Sequence, residues 1–182
     1  MFEFLSPELN EIYENDKKNL RTKSVEYGHL GEGRWHSNLQ PPLSKESISQ
    51  FESELKQQFP TQYKNFLSFY NGCYLFDLFR VAGKKPDTYK GLSIEEQLST
   101  PFPLETMQNL YRRKRTPITH FIFADSFVKN TYYVINNDEK ILEIDFRTKK
   151  IIKSYEDLKI FLSEILQEGK ENIANGIYSE FE

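Results

Sequence analysis

Apolar residues recur at helical spacing in several stretches of the chain and at alternating spacing in its later half. Ile48, Phe51, Leu55 and Phe59 lie three, four and four residues apart, which sets them on one helical face. Ser44 and Ser47 stand ahead of them as candidate caps. Pro60 stops that helix and opens another, where Tyr63, Phe66, Leu67 and Tyr70 repeat the spacing until Asn71-Gly72, a pair suited to the left-handed backbone of a helix end. Upstream, Ser6-Pro7 opens a helix over 6–20 with Leu9, Ile12, Tyr13 and Leu20 inward. Between Lys23 and Pro42, Gly28, Gly31, Gly33 and Pro41-Pro42 interrupt any period, and the stretch reads as a connecting loop held by Trp35 and Leu39.

The period then changes. Cys73 to Val81 is a short aromatic run that predicts one strand. Ser93 with Glu96 has capping-box order and begins a short helix, and Leu104, Met107, Leu110 and Tyr111 mark a second helical piece. Strands are predicted at Ile118 to Ala124, Thr131 to Asn136 and Lys140 to Phe146, with an edge at Lys150 to Lys153; short polar turns favour antiparallel pairing. Within Lys140 to Phe146 the alternation puts Glu143 and Asp145 on a solvent face. Ser154 and Asp157 precede a final helix with Leu158, Phe161, Leu162, Ile165 and Leu166 inward, and the pattern fades into a tail over 169–182. Helices, a mainly antiparallel sheet of four to six strands and a covering helix make an α+β fold in a single domain over 1–182.

Composition narrows the classes. Fifteen Phe and 11 Tyr give the chain enough apolar surface for a core and set it apart from disordered sequences. The single cysteine, Cys73, removes disulfide scaffolds and thiolate zinc sites, and no apolar run reaches membrane-span length, so a cytoplasmic protein without membrane contact is expected. A net charge of -3 offers no general attraction for nucleic acid. The Arg112 to Arg115 run reads as a helix-end cap complementing the macrodipole, and direct nucleic-acid binding is not expected from it.

Candidate catalytic groups have ordinary readings. His120 alternates with Ile118 and Ile122, and Cys73 follows a helix stop, where nothing lowers a thiol pKa. Glu26, His29, Glu32 and His36 share a glycine-broken stretch and not one helical face, so no metal is assigned; Gly28 to Gly33 lacks the lysine and strand-turn-helix context of a phosphate loop. No cofactor is expected.

The segment PPLSKESISQFESELKQQFPTQYKNFLSFYNG, from Pro41 to Gly72, resembles the SUKH superfamily, the Knr-like bacterial immunity proteins and related eukaryotic regulators. The likeness runs through the capped helix with Ile48, Phe51 and Leu55, the Phe59-Pro60 break, Phe66-Leu67 and the closing Asn71-Gly72, and extends over a core of about 35–166. It implies a SUKH-like fold and a non-catalytic protein that binds a toxin domain and neutralises it by covering its active site, the nuclease being the case for which an acidic surface would be built. Carboxylates near strand ends, Asp125, Asp138, Glu139, Glu143 and Asp145, with Tyr132 as an aromatic anchor, are the expected partner contacts on a monomer or weak homodimer. A regulatory or scaffold module of the same fold is the alternative, followed by an enzyme whose site is assembled from distant residues around His36 or His120.

Overall fold

The computed structural model describes residues 1–112, 117 and 119–178. Its elements are α1 (Leu5–Ile12), β1 (Lys17–Asn19), β2 (Val25–Gly31), β3 (Arg34–Leu39), α2 (Lys45–Leu55), α3 (Thr61–Leu67), β4 (Cys73–Leu75), β5 (Phe79–Val81), α4 (Ile94–Leu98), α5 (Leu104–Tyr111), β6 (Phe121–Ser126), β7 (Thr131–Ile135), β8 (Ile141–Asp145), β9 (Ile151–Tyr155) and α6 (Leu158–Ala174). All nine strands join one antiparallel sheet in chain order, β1 to β9. The α+β class holds, and the sheet exceeds the four to six strands expected.

The additional strands come from two places. The stretch read as a loop is the β2–β3 hairpin: Gly31 pairs with Arg34, and the two residues between them, Glu32 and Gly33, both have positive φ, the conformation that suits a two-residue hairpin turn. The run read as one strand is the β4–β5 hairpin, bent at Phe76 and Asp77, which have positive φ although neither is glycine or asparagine. Phe76 is buried, and its N–H donates to Ser37 Oγ at 2.9 Å, so tertiary contacts hold a turn that local propensity disfavours. The N-terminal helix is also shorter than 6–20, ending at Ile12 before β1.

The α2–α3 pair forms as its spacing predicts. Ser44 Oγ accepts the Ser47 N–H, Ile48 and Phe51 are buried, and Phe59 packs edge-on against Phe51 with ring centres 5.0 Å apart. At the end of α3, Asn71 clamps the chain to itself: Oδ1 accepts the Lys84 N–H at 2.7 Å and Nδ2 donates to the Lys84 carbonyl at 2.8 Å. Gly83 sits so close to this clamp that a Cβ there would lie 2.2 Å from the Asn71 carbonyl oxygen. The motif residues of the Pro41–Gly72 segment therefore build the fold.

Helix α6 lies against one face of the sheet, where Phe161 meets Phe79, Tyr133 and Tyr155. Asp157, not Ser154, caps it by accepting the Ile160 N–H at 2.7 Å, and the helix runs through Gly169 to Ala174. The other face carries α4 and α5. Ser93 and Glu96 form the expected reciprocal cap on α4, which is tied to the first strands by Lys18–Glu95 at 2.6 Å and Arg21–Glu96 at 2.9 Å. Among the described residues no helix is long and apolar enough to cross a membrane.

Candidate binding surface

The face of the sheet opposite α6 is built on cross-strand neighbours. Tyr74 pairs with Arg80, Arg80 with Asp125, Asp125 with Tyr132 and Tyr132 with Ile144, so antiparallel register places these side chains in one row. Arg80 grips Asp125 with two bonds, Nε to Oδ1 at 2.6 Å and Nη2 to Oδ2 at 2.8 Å, and the Tyr111 hydroxyl donates to Oδ2 at 2.6 Å. Asp125 is 0% exposed and Arg80 17%. Tyr111 in turn stacks on Tyr132, with centres 5.0 Å apart and planes 14° apart. Burial, and then the Asp125 carboxylate, push the Tyr111 phenol above its ordinary range, so it stays a donor at any physiological pH.

This polar row holds an aromatic sandwich. The Arg80 guanidinium lies 3.6 Å from the centre of the Phe102 ring and 4.3 Å from that of Phe127. Phe127 tops the β6–β7 turn and is 69% exposed. On one side of it lies a groove of about 430 Å³ whose walls include Tyr74, Tyr89, Leu98, Phe102 and Pro103. On the other is a groove of about 200 Å³ lined by Leu110, Tyr111, Thr131 and Phe146 among others. Ile94, Leu98 and Val128 are also well exposed on this side, making a concentration of surface hydrophobes of the kind that marks an interaction site.

The six positions expected to contact a partner are not brought together. Asp125 and Tyr132 are cross-strand partners beneath the surface just described. Glu143 faces the α6 side, buried, accepting from the Tyr133 hydroxyl at 3.2 Å and the Tyr155 hydroxyl at 3.0 Å. The exposure expected of these three is thus corrected: Asp125 and Glu143 spend their carboxylate oxygens on internal bonds, Tyr132 is buried against Tyr111, and both faces of β8 are covered. Asp145 accepts from Arg147 N–H, Thr148 N–H and the Thr148 hydroxyl, closing its own turn. Glu139, at the opposite end of the hairpin, accepts the N–H groups of Thr61 and Gln62 and so fixes the start of α3. Asp138 is exposed in that same turn.

The histidines and the cysteine are likewise engaged in structure. His36 is buried, its Nδ1 2.7 Å from the Tyr13 hydroxyl, and His29 packs on Trp35. His120 precedes β6, its carbonyl accepting from Arg112, and burial followed by that cation lowers its pKa. Cys73 is buried and its thiol is pushed up to about 12 by desolvation, which suppresses the thiolate. Glu26 and His36 lie on paired strands, and among the described residues no cluster of three or more His, Cys, Asp and Glu could hold a metal ion. Of the basic run, Arg113 to Arg115 lie outside the described residues.

Sequence reasoning missed Arg80, Leu98, Phe102 and Phe127. One signal was present: Phe127-Val128 occupies a hairpin turn, where small polar residues are the rule and two apolar side chains have no core to enter.

No curated protein matches the chain. A family model, that of the SMI1 / KNR4 family (SUKH-1), matches residues 42–164.

Proposed function

The chain belongs to the SMI1 / KNR4 family (SUKH-1), and from that premise we propose that it is a non-catalytic immunity protein that binds a cognate toxin domain and neutralises it. Family membership is consistent with that role, and members are generally non-catalytic. The observation that carries the reading is the exposed apolar face around Phe127, prepared by an internal polar row and free of any histidine-carboxylate pair among its lining residues. Neutralisation needs an interface of about 1,600 Å² and nanomolar affinity, about -12 kcal/mol, which an ordered aromatic anchor ringed by smaller contacts can provide.

Asp125 and Tyr132 act from below by fixing Arg80 and Tyr111. Asp138 is a peripheral contact at most, since it stands at the far end of the β7–β8 hairpin. Co-expression of toxin domains encoded next to this gene, with and without the chain, tests the reading. Growth restored by the chain, with a stable complex recovered and no turnover of small substrates by the purified protein, is the expected result. Toxicity unchanged by co-expression, or a hydrolytic activity lost on replacing His36 or His120, would overturn it.

A further inference from the structure

We propose that residues 85–101, which carry α4, form a lid over the β1–β3 end of the open face, closed while the Glu26 carboxyl keeps its proton and loosened when that carboxyl ionises. The lid works whatever the grooves bind, and so stands apart from the protein-binding reading above.

The lid leaves the sheet and returns to it at one place. Asn71 clamps Lys84, the Gly83 N–H donates to the Phe102 carbonyl at 2.9 Å, and the Leu104 N–H donates to the Gly83 carbonyl at 3.0 Å. Between these pins the buried residues are Glu96 and Ser99, both polar, and among the described residues no apolar side chain of 85–101 belongs to the hydrophobic core. Polar bonds seat α4 instead. Lys18 Nζ donates to Glu95 at 2.6 Å, the Trp35 indole N–H to Glu95 at 3.2 Å, and Gln40 Nε2 to the Ser99 carbonyl at 2.5 Å. Arg21 donates to Glu96 at 2.9 Å and to the Gly91 carbonyl at 2.6 Å. Exposed ion pairs add little, and a segment without buried apolar contacts opens locally well before the whole fold does.

Glu26 lies beneath this seat, on β2 between Lys18 of β1 and Asn38 of β3. It is buried and bonded to Ser99, and its Oε1 has no hydrogen-bond partner among the described residues. The charges that face it are Glu95 of α4 and Lys18 of β1, while its neighbour on β3 is the neutral Asn38. Lys18 is already bonded to Glu95, and that bond, followed by the Trp35 N–H, holds the Glu95 carboxyl below its ordinary range. An ionised Glu26 must then share one lysine with Glu95 and keep an oxygen buried without a donor, a costly state away from water. Desolvation accordingly pushes the Glu26 carboxyl up to about 7, eased by Ser99, reinforced by Glu95 and opposed by Lys18. Ladder bonds hold its strand on both sides, so water reaches the carboxylate most readily by displacing α4 and Ser99. Release withdraws Tyr89 and Leu98 from the larger groove, while Phe102, pinned by Gly83, stays on Arg80.

With the lid open the carboxyl regains its ordinary value of 4.5, so the opening constant rises with pH between about 4.5 and about 7 and is level above that. The test is amide hydrogen exchange by NMR on the full chain from about pH 4.5 to about pH 8, each rate divided by that of an unstructured chain, with the Glu26 side-chain carboxyl followed by its carbon-13 shift. The Gln97 and Ser99 N–H groups, bonded to the Ser93 and Glu95 carbonyls, report the lid. Their opening constants are expected to be about a hundredfold larger at the alkaline end than at the acid end, with exchange ahead of the α6 amides throughout and Glu26 titrating near pH 7. Glu26→Gln is expected to keep the lid at its acid-side opening constant across the range. In the wild type the rise must level off at the carboxyl midpoint, which keeps the test decisive should the variant fail to fold. Four results would each overturn the proposal: a Glu26 that titrates near its ordinary value, lid amides that exchange only together with α6, a pH dependence retained in Glu26→Gln, or release confined to 17–19.

Discussion

On the helix side of the sheet, Phe79, Phe123, Tyr133 and Tyr155 all reach the ring of Phe161, with centres 4.8 to 6.2 Å apart, and the nearby Glu143 carboxylate receives two tyrosine hydroxyls. On the opposite side, Arg80, Asp125, Tyr111 and Tyr132 form a comparable aromatic and polar cluster, but its outermost ring, Phe127, is left 69% exposed between two grooves. The first cluster is complete within the chain. The second is complete except for a covering layer, which points to a partner as the source of that layer.

The contrast can be broken at its strong end first. Phe161→Ala removes the ring shared by four others and should cost about 3–5 kcal/mol in urea unfolding, more than any single change on the open face. Asp125→Ala leaves Arg80 largely buried without its carboxylate and should cost about 3 kcal/mol. Replacing both members, Arg80→Met with Asp125→Leu, should recover most of that stability while partner binding stays lost, because the apolar pair cannot hold Phe127 in place.

A smaller effect reports how firmly α4 is seated. Glu26 is 2% exposed, and desolvation raises its carboxyl to about 7, opposed by a bond to Ser99 and reinforced by Glu95. Because the folded state holds the Glu26 proton more tightly than the unfolded chain, this group's stabilising share is full below about pH 4.5. It declines as pH rises through about 7 and is gone above that. Glu26→Gln should therefore flatten this part of the profile, and the wild type should lose on the order of 2 kcal/mol relative to it between pH 4.5 and 8. The smallest stability effect belongs to Phe127→Ala, within about 0.5 kcal/mol by thermal or urea unfolding, although the same substitution should weaken partner binding.

How legible each side was follows from how each is built. Helices α2, α3 and α6 announced themselves through spacing, since an amphipathic helix needs its apolar residues at fixed intervals. Gly169 hid the last turn of α6: it reads as a stop, yet a Cβ there would lie 2.3 Å from the Phe76 ring, so a close approach selected the glycine. The β2–β3 hairpin was masked because Glu26, His36 and Ser37 are buried polar residues that erase the alternation of a half-buried strand. Phe76 gives no turn signal because its left-handed backbone is imposed by Ser37 and by packing against Tyr13. The open face was least legible of all: Arg80 and Asp125 are 45 residues apart in sequence and meet only through strand register. An acidic residue at a strand end looks solvent-facing until its partner is known.

Hydrogen exchange of the chain, alone and bound to a toxin domain recovered with it on co-expression, tests the central claim most directly. Protection concentrated in 97–103 and 126–130, with α2 and α6 unchanged, is the result predicted. Protection confined to the helix side, with the Phe127 turn exchanging as in the free protein, would contradict it.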